Sequence, residues 1–313
     1  VTNNHGQGAE TIMRAEALFC QGHFTDAHIE LERAYAQVRD NGQINMALCC
    51  DFLSRRLSLH TDVEQRYTFA ERYAELLQYH DATWINIWNA TGAYYHALQG
   101  ETEKIPEIFS QHRLSAVNML APGKPMMEMI ENQVYLAQGA YAKVVGRSAE
   151  LLAVCEAMHY ALVALHIRIQ TAAAYEKLGK TEEARVWLRK ALADAEPDGF
   201  VMPFVENYDC LQPILAREMK NDLIVKITDL GEAAKARNAA SVRPAAFDVL
   251  TAREFEIVEL MVQRLSNREI AEKLYLSEGS VKQYANRIYS KLHIDGDTRT
   301  KRKQLAELLG QKS

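Results

Sequence analysis

Residues 250–292, LTAREFEIVELMVQRLSNREIAEKLYLSEGSVKQYANRIYSKL, decide how the rest of the chain is read. Start signals announce three short helices in this stretch. Thr251 stands three residues before Glu254, and Ser266 three before Glu269. Both pairs are S/T-x-x-E capping boxes, in which hydroxyl and carboxylate each satisfy an amide donor of the first turn. Ser277 is a third N-cap, and Glu278 behind it complements the positive end of the helix dipole.

Apolar spacing then assigns the faces. Phe255, Val258 and Val262 recur at helical spacing in the first helix, beside Ile257 and Met261, and Ile270, Ala271 and Leu274 form a stripe in the second. In the third, Val281, Ala285, Ile288 and Leu292 form one face. The opposite face carries Lys282, Gln283, Asn286, Arg287 and Ser290, flanked by Lys291. Amides pair with adenine edges, and cations with guanine edges or phosphates. Two helices joined by a tight turn, the second of this kind, make a helix-turn-helix layout.

On these residues the segment resembles the C-terminal DNA-binding domain of LuxR-type transcription regulators. The resemblance is carried by Leu250-Thr251, Arg253-Glu254, Leu265 through Ala271, Leu274, Ser277, Val281-Lys282, Ile288 and Lys291-Leu292. It implies that the third helix, about Glu278–Lys291, enters the major groove of double-stranded DNA. Lys282, Gln283, Asn286, Arg287 and Lys291 would touch DNA there, with Ser280, Asn267 and Arg268 near the backbone. A fourth helix at about residues 301–309, with Leu305, Leu308 and Leu309, would support a homodimer on DNA. Three departures bear on base preference and on where the fourth helix starts. Tyr284 stands where the family often has His, Arg287 where Asn is frequent, and residues 293–300 form a longer loop.

The rest of the 313 residues fits an all-α protein of two or three domains. Hydrophobic residues at 48% and charged ones at 25% are those of an ordinary globular chain, and the 15 Gly and 7 Pro are too few for turn-rich β structure. No apolar run approaches the roughly 18–20 residues that span a bilayer. The polar start VTNNHGQGAE is no signal peptide and lacks an initiator Met, which leaves open a processed or excised piece. Five cysteines without a C-x-x-C pair suit buried thiols in a reducing cytoplasm. The net charge of −5 is uneven: from Asp248 onward 12 Lys and Arg face 10 Asp and Glu, and the remainder is acidic. A weakly basic tip on an acidic body suits a DNA contact confined to the tip.

Upstream, one landmark recurs: Gln21-Gly22-His23-Phe24, Gln99-Gly100-Glu101, Gln138-Gly139-Ala140-Tyr141 and Leu178-Gly179-Lys180. The glycines are 78, 39 and 40 residues apart, and the missing member falls at Thr61. This spacing predicts five helical hairpins, with an inter-helix turn at each landmark and stacked pairs burying a continuous core. The last unit, AAAYEKLGKTEEARVWLRKALADAEPDGFVMPF, looks tetratricopeptide-like and resembles the end of the repeat region of MalT-like LuxR regulators. Those regulators usually carry an ATPase module upstream, so the resemblance implies a truncation or a shorter relative. The predicted organisation is a tetratricopeptide-like helical-hairpin solenoid at 1–230, a linker at 231–247, and a four-helix LuxR-type domain at 248–313.

Other signals carry less. Gly179-Lys180-Thr181 imitates the end of a P-loop, but Ala174 replaces the required Gly and a helix precedes it. The ten histidines form neither H-E-x-x-H nor a cluster with Cys, so no metal, cofactor or catalytic residue is assigned. Trp84 and Trp88 lie one turn apart on a helix that also carries Tyr94 and Tyr95; they read either as inter-repeat packing or as a ligand lining on the concave surface. Met119, Met126, Met127 and Met129 around Pro122-Gly123-Lys124-Pro125 read either as a packed loop or as an adaptable patch. Taken together, the sequence reads as a non-enzymatic DNA-binding transcription regulator, governed through its repeats by a small-molecule effector or a protein partner. The alternative is a helical-repeat interaction scaffold whose DNA binding is secondary or lost.

Overall fold

The computed structural model describes residues 6, 8–41, 43–79, 81–114, 123–241, 245–247, 249–274 and 276–309, and among these it is helical with no strand. Two compact units divide it, residues 1–237 and 238–313. In the first unit the helices are α1 (Ala9–Cys20), α2 (Phe24–Asn41), α3 (Ile44–His60), α4 (Phe69–Leu76), α5 (Ala82–Leu98), α6 (Glu107–Ser110), α7 (Lys124–Ala137), α8 (Tyr141–Ala157), α9 (Ala161–Lys177), α10 (Thr181–Ala195), α11 (Met202–Val205) and α12 (Tyr208–Leu215). Helix α13 (Asp222–Ser241) follows, its last four residues falling past the division. The second unit holds α14 (Ala252–Val262), α15 (Asn267–Leu274), α16 (Glu278–Lys291) and α17 (Thr298–Leu308).

Helices α1 to α10 succeed one another as pairs, and the recurrent glycines end the first members. Gly22, Gly100, Gly139 and Gly179 all have φ between +72° and +79°, the left-handed region that costs glycine nothing. Around Gly22, its own N–H donates to Phe19 O and His23 N–H to Leu18 O, the double bond of a Schellman cap. The same pattern recurs at Gly139 and Gly179, where α8 and α10 begin two residues later. The expected regularity fails elsewhere. After Gly100 a 3₁₀ turn and the four-residue α6 replace a full second helix. At Thr61 the backbone is extended rather than left-handed, and α4 starts only at Phe69.

The core of this unit runs from Phe19 and Leu31 through Leu48 and Leu165 to Phe204 and Ile227. It also returns on itself. Val201 N–H donates to Cys20 O at 2.7 Å, Gln21 Nε2 to Asp198 O at 3.0 Å, and the side chains of Leu230 and Val201 crowd Gly22. The segment after α10 thus packs against α1.

One expectation needs correction. The want of an apolar stripe from 231 onward marks a linker, but α13 continues through residues 231–241 to Ser241. Gly231 lies so close to the Tyr208 ring that a Cβ would sit 2.4 Å from it, Glu232 accepts from the Tyr208 hydroxyl at 2.8 Å, and Arg237 donates to Asp62 at 2.5 Å. Ala, Glu, Lys and Arg are also strong helix formers in their own right. Residues 242–244 and 248 of the expected linker and boundary, with Met119 and Pro122 of the methionine loop, lie outside the described residues.

The second unit is built as its start signals say. Both capping boxes are closed around Thr251 and Ser266, and the Ser277 hydroxyl accepts from Ser280 N–H at 3.0 Å. Its core gathers Phe247, Ile257, Val258, Ile270, Val281, Ile288 and Leu305. The fourth helix starts at Thr298, earlier than expected, because Asp297 accepts from Thr300 N–H at 2.8 Å and caps it.

Candidate nucleic-acid interface

Helices α15 and α16 are joined by a turn in which Leu276 N–H donates back to Ala271 O at 2.9 Å. Val281, Ala285, Ile288 and Tyr289 of α16 face the core. That orientation leaves Lys282, Gln283, Asn286, Arg287 and Ser290 exposed on the other side. Among the described residues, Lys282, Gln283, Asn286 and Arg287 make no hydrogen bond or ion pair; Arg287 only lies over the Tyr284 ring at 5.6 Å. The side chains are therefore free to meet an external partner with two amides and two cations from one helix face.

The other expected contacts are placed differently. Lys291 donates to the buried carboxylate of Glu254 at 2.7 Å, tying the C-terminal end of α16 to the start of α14. Burial pushes the Glu254 carboxyl up, but the bonds from Lys291 and Thr251 prevail and hold it below the ordinary carboxylate range. Asn267 accepts from Arg302 at 3.3 Å, and Arg302 also donates to Leu265 O at 2.8 Å, so α17 is pinned at the start of α15. Arg268 is exposed and pairs with Glu272 one turn on. Ser280 shares its hydroxyl with Ser277 at 2.8 Å. Two positioning residues escaped sequence reading. They are Arg302 and Arg253, whose guanidinium bonds to Leu274 O at 2.8 Å and so steadies the end of α15. Neither bond follows from local spacing.

The four aromatics noted on α5 are separated. Trp88 packs against Phe69 and Tyr73 of α4, with ring centroids 6.0 and 4.9 Å apart, and Tyr95 also meets Phe69. Trp84 packs half-buried on the core. Tyr94 alone turns inward, fully buried, and donates to Glu206 at 2.8 Å.

A small helical domain with a capped helix-turn-helix and one unpartnered polar helix face belongs to the class of nucleic-acid-reading modules. Residues 248–302 match the family described as bacterial regulatory proteins, luxR family, so the chain carries a luxR-family domain at its C-terminal end. The chain is similar to the transcriptional regulatory protein LnrK of Bacillus subtilis (strain 168), 49% identical over 45 residues, which are 14% of this chain and 20% of that protein. It is also similar to the transcriptional regulatory protein DegU of Brevibacillus brevis, 42% identical over 50 residues, 16% of this chain and 21% of that one. The chain thus spans about a fifth of the length of these curated relatives. No solved structure matches it. No helix among the described residues is long and apolar enough to cross a membrane.

Proposed function

We propose that this chain is a sequence-specific DNA-binding transcription regulator, controlled through its helical pairs by a small-molecule or protein signal. The unpartnered face of α16, inside the region that matches the luxR family, carries the reading. In this scheme α16 lies in the major groove, and Lys282, Gln283, Asn286 and Arg287 meet base edges and phosphates. Ser280, Asn267 and Arg268 lie near the DNA backbone. Lys291 acts chiefly through Glu254, holding α16 in place. Two chains pair through α17, because one helix-turn-helix covers little DNA and two on adjacent half-sites gain by effective concentration. The N-terminal pairs are tetratricopeptide-like and MalT-like in organisation, and the protein works in the cytoplasm.

The test begins by selecting the DNA bound by the full chain from a random pool. Arg287→Ala and Lys282→Ala are then compared on the selected sequence. A lost base contact weakens binding by about 1–3 kcal/mol, and a lost phosphate contact lowers the salt slope by about one, with the melting temperature unchanged. Undiminished affinity in both variants removes α16 from the groove.

A further inference from the structure

The first members of five successive pairs, α1, α3, α5, α7 and α9, wall one cavity of about 250 Å³. Its lining is mainly apolar and includes Ile12, Leu48, Phe52, Ile87, Ile130 and Val163. Such a volume lies just below the roughly 300–1,000 Å³ of pockets that take drug-sized molecules. At one side stands Arg56, 2% exposed. Its Nη1 is bonded to Glu16 and its Nε donates to Glu206 at 2.7 Å. Its Nη2 is buried and has no partner. Tyr94, also in the wall, already spends its proton on Glu206.

An unmade bond on a buried guanidinium is costly, and an incoming acceptor removes the cost. The charge of that acceptor is constrained. Arg56 faces two carboxylates, so the three groups together carry one negative charge when ionised, and an anionic head would add to it. A cationic head offers Nη2 no acceptor. We propose that this cavity binds a small neutral molecule with an apolar body and a carbonyl-type acceptor turned to Arg56: a ketone, ester or amide. The inference rests on the reading of the helical pairs as the signal-receiving part and names the chemical class of the signal.

The experiment titrates the full chain by calorimetry with three probes of equal chain length: 2-octanone, octanoate and octylamine. The expected result is one site per chain, with 2-octanone at least tenfold tighter than either charged probe. Val163 is half-buried in the cavity wall, so Val163→Trp fills the space and abolishes binding. Arg56→Lys keeps a cation between the carboxylates but loses Nη2, and weakens 2-octanone about tenfold. Octanoate or octylamine binding as tightly as the ketone, no probe binding at all, or undiminished binding by a folded Val163→Trp overturns the proposal. Should either variant fail to fold, the ranking of the three probes on the unaltered chain decides. DNA binding is measured on the same preparations. Ketone binding without DNA binding refutes the regulator and leaves the ligand class standing; DNA binding without ketone binding refutes the ligand class alone.

Discussion

The most buried arginines of the N-terminal unit and the exposed Arg287 of the C-terminal unit are put to opposite uses. In the N-terminal one, Arg56 and Arg72 are 2% and 3% exposed and pair with Glu206 and Asp51. In the C-terminal one, Arg287 is exposed over the Tyr284 ring, with no ion pair among the described residues. A buried charge must be matched within the chain, whereas an exposed one costs little unmatched and remains available to a partner. Burial therefore separates these charges that hold the fold from one that faces outward, although all of them sit on helices.

Arg56→Ala breaks the comparison most severely. It leaves Glu16 and Glu206 facing each other without a cation, and denaturant unfolding should record a loss of about 3–5 kcal/mol. Acid gives the next effect. Burial pushes His60 and His166 down to about 4; Arg56 adds to the push and Glu206 opposes it. Their folded values lie below the ordinary unfolded value of about 6.5. The stability they contribute is thus complete above pH 6.5 and is lost as pH falls towards 4. At pH 5.5 each should remove about 1.4 kcal/mol, one unit's worth. Hydrogen exchange should speed up in α3 and α9 and stay unchanged in α14 to α16; equal acceleration in both units would contradict the assignment.

Smaller effects sharpen the contrast within the C-terminal unit. Glu254→Ala removes the capping box and the anchor of Lys291, for a loss of about 1–2 kcal/mol in thermal unfolding. Lys291→Met should lower the melting point and leave the salt slope of DNA binding intact, the reverse of Lys282→Ala. The least change comes at Arg264, which closes α14 with φ +67° where the turns after α1, α5, α7 and α9 use glycine. Arg264→Gly should raise stability by about 1 kcal/mol, read as a higher melting temperature.

What could be read in advance follows the range of the interactions. Thr251 with Glu254, Ser266 with Glu269, and the glycines closing α1, α5, α7 and α9 act over three to five residues, so spacing alone reveals them. The polar face of α16 is legible for the same reason, since its period of burial is local. Lys291 with Glu254 spans 37 residues and Arg56 with Glu206 spans 150, and no periodicity connects such positions. Tyr94 could not be told from Tyr95 or Trp88, because each of the three has apolar neighbours on α5. The helix at 231–241 lacks an apolar stripe of its own because Tyr208, Gln212 and Asp62 support it through polar bonds from elsewhere in the chain.

The bond from Val201 to Cys20 has a consequence for how the pairs melt. An open row of repeats behaves as a one-dimensional chain, in which end units fray first and truncation removes one increment at a time. Here Gln21 reaches Asp198 across 177 residues and Val201 N–H donates to Cys20 O, so the two ends of the row clasp each other. Neither end pair can open without releasing the other. Such long-range closure slows folding, since the loop must be ordered before its contacts are gained. It also turns gradual fraying into a single cooperative loss of the whole array.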